Sequence, residues 1–256
     1  MLWHKAWLDV RWRILIGLAV LLVMACGVVI EYPTVVRLRP LAMTIDPGDG
    51  VVGRAIRDAI ETQRDYRGYV WYSWFRQNVC QALVVLAALL GSGGLLAGGH
   101  GGAARFTLAL PVSRRDVYAV RAVSGLAALL LLAVVPSLVI PLMSPGVGER
   151  YALTDVIVHG LCLFTGGAVI FSAALALSSV FADVWRPLLL ALALAVALTA
   201  LEMVAVPWPS VGVIHAMTGE AYFRSGTLPW PGLALSVGLS ALLLAAGAAA
   251  FERHDF

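Results

Sequence analysis

Two ionisable side chains stand inside long apolar runs, His159 and Glu202. Such groups are costly to place in a membrane, so they are functional candidates by default. Together with the acids of the first polar segment they could serve a membrane enzyme. Each has a plainer reading, which stands ahead. His159 falls within one turn of the start of its run, and Glu202 one turn from the end of its own. Both can reach an interface. Cys162 follows His159 at i+3, yet two such ligands do not make a metal site. Other catalytic patterns are absent. No G-x-x-x-x-G-K-[ST] phosphate loop occurs, so the chain cannot bind ATP in that way. H-E-x-x-H and G-x-S-x-G are missing too. No cofactor is expected on this chain.

The other informative stretch runs from Gly98 to Arg121. It is too polar to span a membrane and too apolar for an ordinary solvated loop. Arg105 to Leu110 can form about one and a half helical turns. Pro111 ends them, because the residue before a proline is pushed out of the α region. Ser113 then reads as an N-cap with Asp116 at the third helical position, so a new helix starts at Arg114. Phe106 and Leu110 share one face. Arg105, Arg114 and Arg115 supply a charged rim. A capped loop with basic anchors explains every residue. The sharper reading is a docking element for a second, soluble protein.

Around these residues lie the elements that must position them. Of 256 residues, 61% are hydrophobic and only 13% charged. A soluble domain carries about a quarter charged residues, so this is a polytopic membrane protein. The net charge of +3 is too small to suggest nucleic-acid binding. Cys26, Cys80 and Cys162 sit in apolar segments and match no disulfide or zinc pattern. Leu22 to Gly27 loosely resembles a lipoprotein cleavage box, but a retained helix is expected.

The hydropathy pattern predicts six spans at about 14–30, 77–98, 114–143, 156–181, 187–206 and 231–251. An amphipathic helix with Trp3, Trp7 and Val10 on one side precedes them, suited to the headgroup layer. Residues 31–74 read as an extracytoplasmic loop. Pro33 and Pro40 should break any helix there, and a short amphipathic helix should follow from Val51. Tyr66, Tyr69, Trp71, Tyr72, Trp74 and Phe75 read as an aromatic membrane belt. Gly94, Gly98 and Gly102 form a small-xxx-small pattern. Residues 207–230 either dip back into the membrane or lie upon it. Basic residues are tied at nine on each side, so the positive-inside rule leaves orientation weakly set. Both termini are placed inside.

Three segments resemble one family. Phe106-Thr107-Leu108-Ala109-Leu110-Pro111-Val112-Ser113-Arg114-Arg115 is similar to the "FLLSLPVSRR" run that follows the second helix in type-2 ABC transporter permeases. Trp3 to Arg13 resembles that family's interfacial leading helix, and Phe251-Glu252-Arg253-His254-Asp255 its "F-x-R-R-D" ending. His100, Ala103 and Ala104 depart from the acidic residue and Gly-Thr pair usual before the run.

The resemblance implies an all-α permease in the bacterial inner membrane, with both termini cytoplasmic. A short cytoplasmic coupling helix would join spans 2 and 3, within 99–113. Its docking candidates are Arg105, Phe106, Leu108, Leu110, Arg114 and Arg115. The implied partners are an ABC ATPase subunit in two copies, carrying the ATP and Mg, and a second permease chain. Membrane lipid surrounds the complex. Few charges line the spans, which favours an amphipathic or lipid-like substrate. A non-transporting sensor or recruitment subunit is the alternative, and a membrane enzyme ranks behind it.

Overall fold

The computed structural model describes residues 2–43, 48, 50–93, 113–181, 183–204 and 211–253. Among them the chain is all-helical. Helix α1 is Leu2–Met43, α2 Val51–Thr62 and α3 Tyr66–Val70. A π-helical turn, Trp71–Asn78, joins α3 to α4, Val79–Gly91. Next come α5 at Arg114–Val134 and α6 at Val139–Met143. Helix α7 is Leu153–Ser178 and α8 Trp185–Val204. Two short helices, α9 at Val213–Thr218 and α10 at Glu220–Ser225, precede α11 at Trp230–Arg253.

Six helices are long and apolar enough to cross a membrane: Val10–Pro40, Tyr66–Gly91, Arg114–Val147, Leu153–Ser178, Trp185–Val204 and Trp230–Arg253. Apolar side chains must leave water, and lipid leaves no backbone group unpaired outside a helix. The observed helix corrects the expectation of an early break at Pro33 and Pro40 in 31–74. Helix α1 runs through Pro33 and Pro40 to Met43. Each proline removes one backbone bond. Contacts from other elements hold the helix beside them: Tyr32 packs edge-on against Tyr66, and Arg39 donates to the carbonyls of Gln63 and Arg64. The N-terminal segment is likewise helical from Leu2 and enters the first span without a break.

The second span starts near Tyr66 rather than 77, and that relocates the aromatic residues. Tyr66, Tyr69, Trp71, Trp74 and Phe75 are all buried, the last three completely. They are core, not a lipid-facing belt. Trp74 Nε1 donates to Ser137 Oγ at 2.9 Å, and the Tyr69 hydroxyl to the Val28 carbonyl at 2.9 Å. Large rings with satisfied polar tips fill the contact between α1, the second span and the 136–138 turn.

Helix α7 is the axis of the bundle, packed by α4, α5, α8, α9 and α11. Of its most apolar window 72% is buried, against 17% for α11, which is left facing outward. Small residues allow this density. A Cβ on Gly91 would lie 2.5 Å from the Phe171 carbonyl oxygen, and one on Gly166 2.5 Å from Met217 Cβ. Gly94, Gly98 and Gly102 lie outside the described residues.

Residues 211–226 fold as a helical hairpin that dips back among the spans. Val213, Ala216 and Met217 are buried. Met217 meets α7 at Gly166, thirteen positions after Leu153. At helical rise that is about 20 Å along the axis.

Candidate functional site

Helix α7 begins at Leu153, which places Asp155 in its first turn and His159 one turn further on. Asp155 is buried, and each of its oxygens has a partner from another element. Arg67 Nε donates to Oδ2 at 2.8 Å, and the Tyr222 hydroxyl donates to Oδ1 at 3.0 Å. The carboxylate thereby joins α3, α7 and the hairpin. His159 is completely buried. Its Nδ1 stands 2.7 Å from the Asp155 carbonyl oxygen. A carbonyl only accepts, so Nδ1 carries the hydrogen and Nε2 is a bare acceptor. Nε2 has no partner among the described residues. The ring stacks on Phe75 at 4.7 Å, meets Tyr222 edge-on at 5.4 Å and abuts Gly219.

Glu202, the other candidate, holds the same hairpin from its opposite end. Helix α9 starts at Val213, and the residue at its cap position, Gly212, has no side chain to cap it. Glu202 supplies the cap from twelve residues away. Its Oε1 accepts from Ile214 N at 2.9 Å and its Oε2 from His215 N at 3.0 Å. His215 Nδ1 lies 3.0 Å from Oε2. That hydrogen bond raises the His215 pKa above its ordinary 6.5, outweighing burial. His159 and Glu202 are not in contact. What they share is the hairpin they hold.

A third tie is a pair of stacked rings with a guanidinium group at each ring. Trp71 and Phe223 stack at 4.4 Å, 3° from parallel. Arg67 lies over the Phe223 ring, 5.4 Å from its centre. Arg76 lies 5.5 Å from the Trp71 ring centre and 5.4 Å from that of Tyr72. Trp71 Nε1 donates to the Thr218 carbonyl at 3.0 Å. Neither Asp155, Tyr222 nor this ring pair stands out in the sequence. The Asp155–His159 spacing of four is the one local signal available.

The other end of the bundle gathers different residues. Arg105, Phe106, Leu108 and Leu110 lie outside the described residues. Arg114 and Arg115 open α5, where Ser113 Oγ accepts from Asp116 N at 3.1 Å, the cap its sequence predicts. Arg115 pairs with Glu252 of the tail through Nε, and its Nη2 donates to Oε2 at 3.0 Å. Tyr118 packs near Phe251, ring centres 6.3 Å apart. Arg13 Nη1 donates to the Leu89 carbonyl at 2.8 Å, and Gly93 lies against both Arg13 and Arg121. The beginnings of α1 and α5 and the ends of α4 and α11 thus share one end.

No family model, curated protein or solved structure matches the chain. Among the described residues the fold is all-helical, with six helices long and apolar enough to cross a membrane, the architecture of a multi-pass membrane protein.

Proposed function

We propose that the chain is the permease subunit of an ATP-driven ABC exporter in the bacterial inner membrane, with both termini cytoplasmic. One observation carries the reading. The three segments that resemble type-2 ABC permeases are far apart in sequence, and residues from each gather at one end of the bundle. Arg115 of the loop run pairs with Glu252 of the tail, 137 positions away. Arg13 of the leading segment shares Gly93 with Arg121 of α5. Such an end is suited to receive a soluble ATPase. The stretch 99–113, between α4 and α5, is its coupling element, and Trp7 and Trp12, both exposed, set the leading segment in the headgroup layer. Two permease chains and two ATPase chains complete the transporter. The hairpin 211–226 closes the far end, held by Asp155, His159 and Glu202.

The test is biochemical. The chain is purified with the ATPase encoded nearest to its gene, and hydrolysis by the complex is measured with amphipathic candidate substrates. Stable association and substrate-stimulated turnover are expected. Association without stimulation by any substrate favours the sensor reading instead. A permease that binds no ATPase overturns both. Phe106→Asp, in a chain that still inserts and folds, should lower association and transport together.

A further inference from the structure

Arg76 stands inside the second span. It is half-buried, and among the described residues it has ring contacts and no carboxylate partner. Its π-helical setting explains the rings. In a turn bonded i to i+5, residues five apart are aligned, and Trp71 comes beneath Arg76. Tyr72, one position closer, flanks the same guanidinium. Ring faces offset part of the cost of a charge in an apolar setting. They do not replace a counter-ion, and a guanidinium does not deprotonate.

The carboxylates that tie the hairpin in place are engaged elsewhere. Asp155 holds Arg67 and Tyr222. Glu202 holds the α9 terminus and the His215 ring. Glu220 and Asp58 both pair with Arg224. His215, itself a potential cation, feels the charge of Arg76. Arg76 is therefore left without a carboxylate of its own among the described residues. Depth adds a constraint. Counting back from Gly91 the roughly 20 residues that cross a ~30 Å core puts the boundary near Tyr72. Arg76 lies about one turn below it, within reach of lipid headgroups.

We propose that Arg76, set on Trp71 and Tyr72, is a binding group for the phosphate or carboxylate head of an acidic amphiphile. The guanidinium fork takes two oxygens of the head, and the aromatic faces keep the fork from turning away. The acyl chains remain along the outer surface of the span. This site does not depend on the transporter reading and would stand if the chain bound no ATPase.

The experiment titrates the purified full chain in neutral detergent with short-chain phosphatidylglycerol, short-chain phosphatidylcholine and inorganic phosphate, by calorimetry. Saturable phosphatidylglycerol binding is expected, about tenfold tighter than phosphatidylcholine, the scale of one charge-assisted hydrogen bond. Arg76→Gln should reduce it to the phosphatidylcholine level, Arg76→Lys should weaken it severalfold because an ammonium offers a point charge and no fork, and Arg54→Gln at an exposed helical site should leave it unchanged. Equal affinity of the wild type for the two lipids overturns the proposal, as does an unaltered Arg76→Gln. Inorganic phosphate competing as well as phosphatidylglycerol overturns the amphiphile in favour of a free anion. If Arg76→Gln does not fold, the wild-type selectivity and Arg76→Lys decide.

Discussion

The carboxylate of Glu202 closes the N-terminus of a helix that begins eleven positions later, at Val213, and holds the ring of His215 at 3.0 Å. One side chain thus acts as cap and as ion-pair partner. The pair fixes where the hairpin enters the bundle.

That pair makes hairpin stability depend on pH. His215 has its pKa raised above 6.5 by the Glu202 hydrogen bond. A raised folded value means the stabilisation is fully present below about 6.5 and is lost as pH rises through the shifted value. Amide exchange across 211–218, corrected for intrinsic rates, should therefore quicken with rising pH above that point. His215→Gln should flatten the dependence. A profile identical to wild type in that variant would refute the assignment.

Asp155 ties the hairpin to the bundle through Tyr222 and to α3 through Arg67. Asp155→Ala leaves Arg67 and the Tyr222 hydroxyl without their acceptor. Breaking a buried pair costs about 3–5 kcal/mol. Arg67 keeps 43% of its side chain exposed and can rehydrate, so about 2 kcal/mol is expected. Tyr222→Phe removes one hydrogen bond and should cost about 1 kcal/mol. Denaturant unfolding in micelles reads both, and equal effects would contradict the hierarchy.

Gly91 tests the packing of α4 on α7. A Cβ there would meet the Phe171 carbonyl oxygen at 2.5 Å and Ala174 Cβ at 2.6 Å. Gly91→Val should therefore destabilise by about 1–3 kcal/mol through overpacking. A Cβ on Gly238 would meet nothing within 4 Å, so Gly238→Ala should be neutral or slightly stabilising. Thermal unfolding of the two variants should separate them clearly.

The Arg115–Glu252 pair lies at the surface, so its value is in geometry rather than stability. Arg115→Glu should leave the melting temperature nearly unchanged while weakening ATPase association. Adding Glu252→Arg should restore part of it. Should both single and double variants bind the ATPase like wild type, the pair has no part in docking.

Local features of this fold are legible in the sequence, and distant ones are not. The Ser113 cap spans three residues, so its pattern suffices to place the start of α5. The spans follow from composition. The role of Glu202 does not, because the groups it accepts from lie twelve and thirteen residues away in the chain. The aromatic run from Tyr66 misleads for another reason. Tryptophan and tyrosine suit a headgroup belt and a polar-tipped core equally, and only their partners decide between them. Pro33 and Pro40 mislead because a proline removes only one backbone bond, and distant contacts hold the helix beside it: Tyr32 on Tyr66, and Arg39 on the carbonyls of Gln63 and Arg64.

The first helix has a mechanical consequence. Its 42 residues extend about 63 Å, roughly twice the thickness of a ~30 Å hydrocarbon core. A rod of that length pivoting about its middle by ~10° moves each end by about 5 Å in opposite directions. The stiffness of such a lever is uneven. Pro33 and Pro40 leave the carbonyls of Val29 and Val36 without their helical donors, so compliance is concentrated in the last third. Tyr69 grips the rod at Val28, just before the soft part begins. Force applied at the Arg13 end would reach that grip with little loss and then bend the segment leading to Met43.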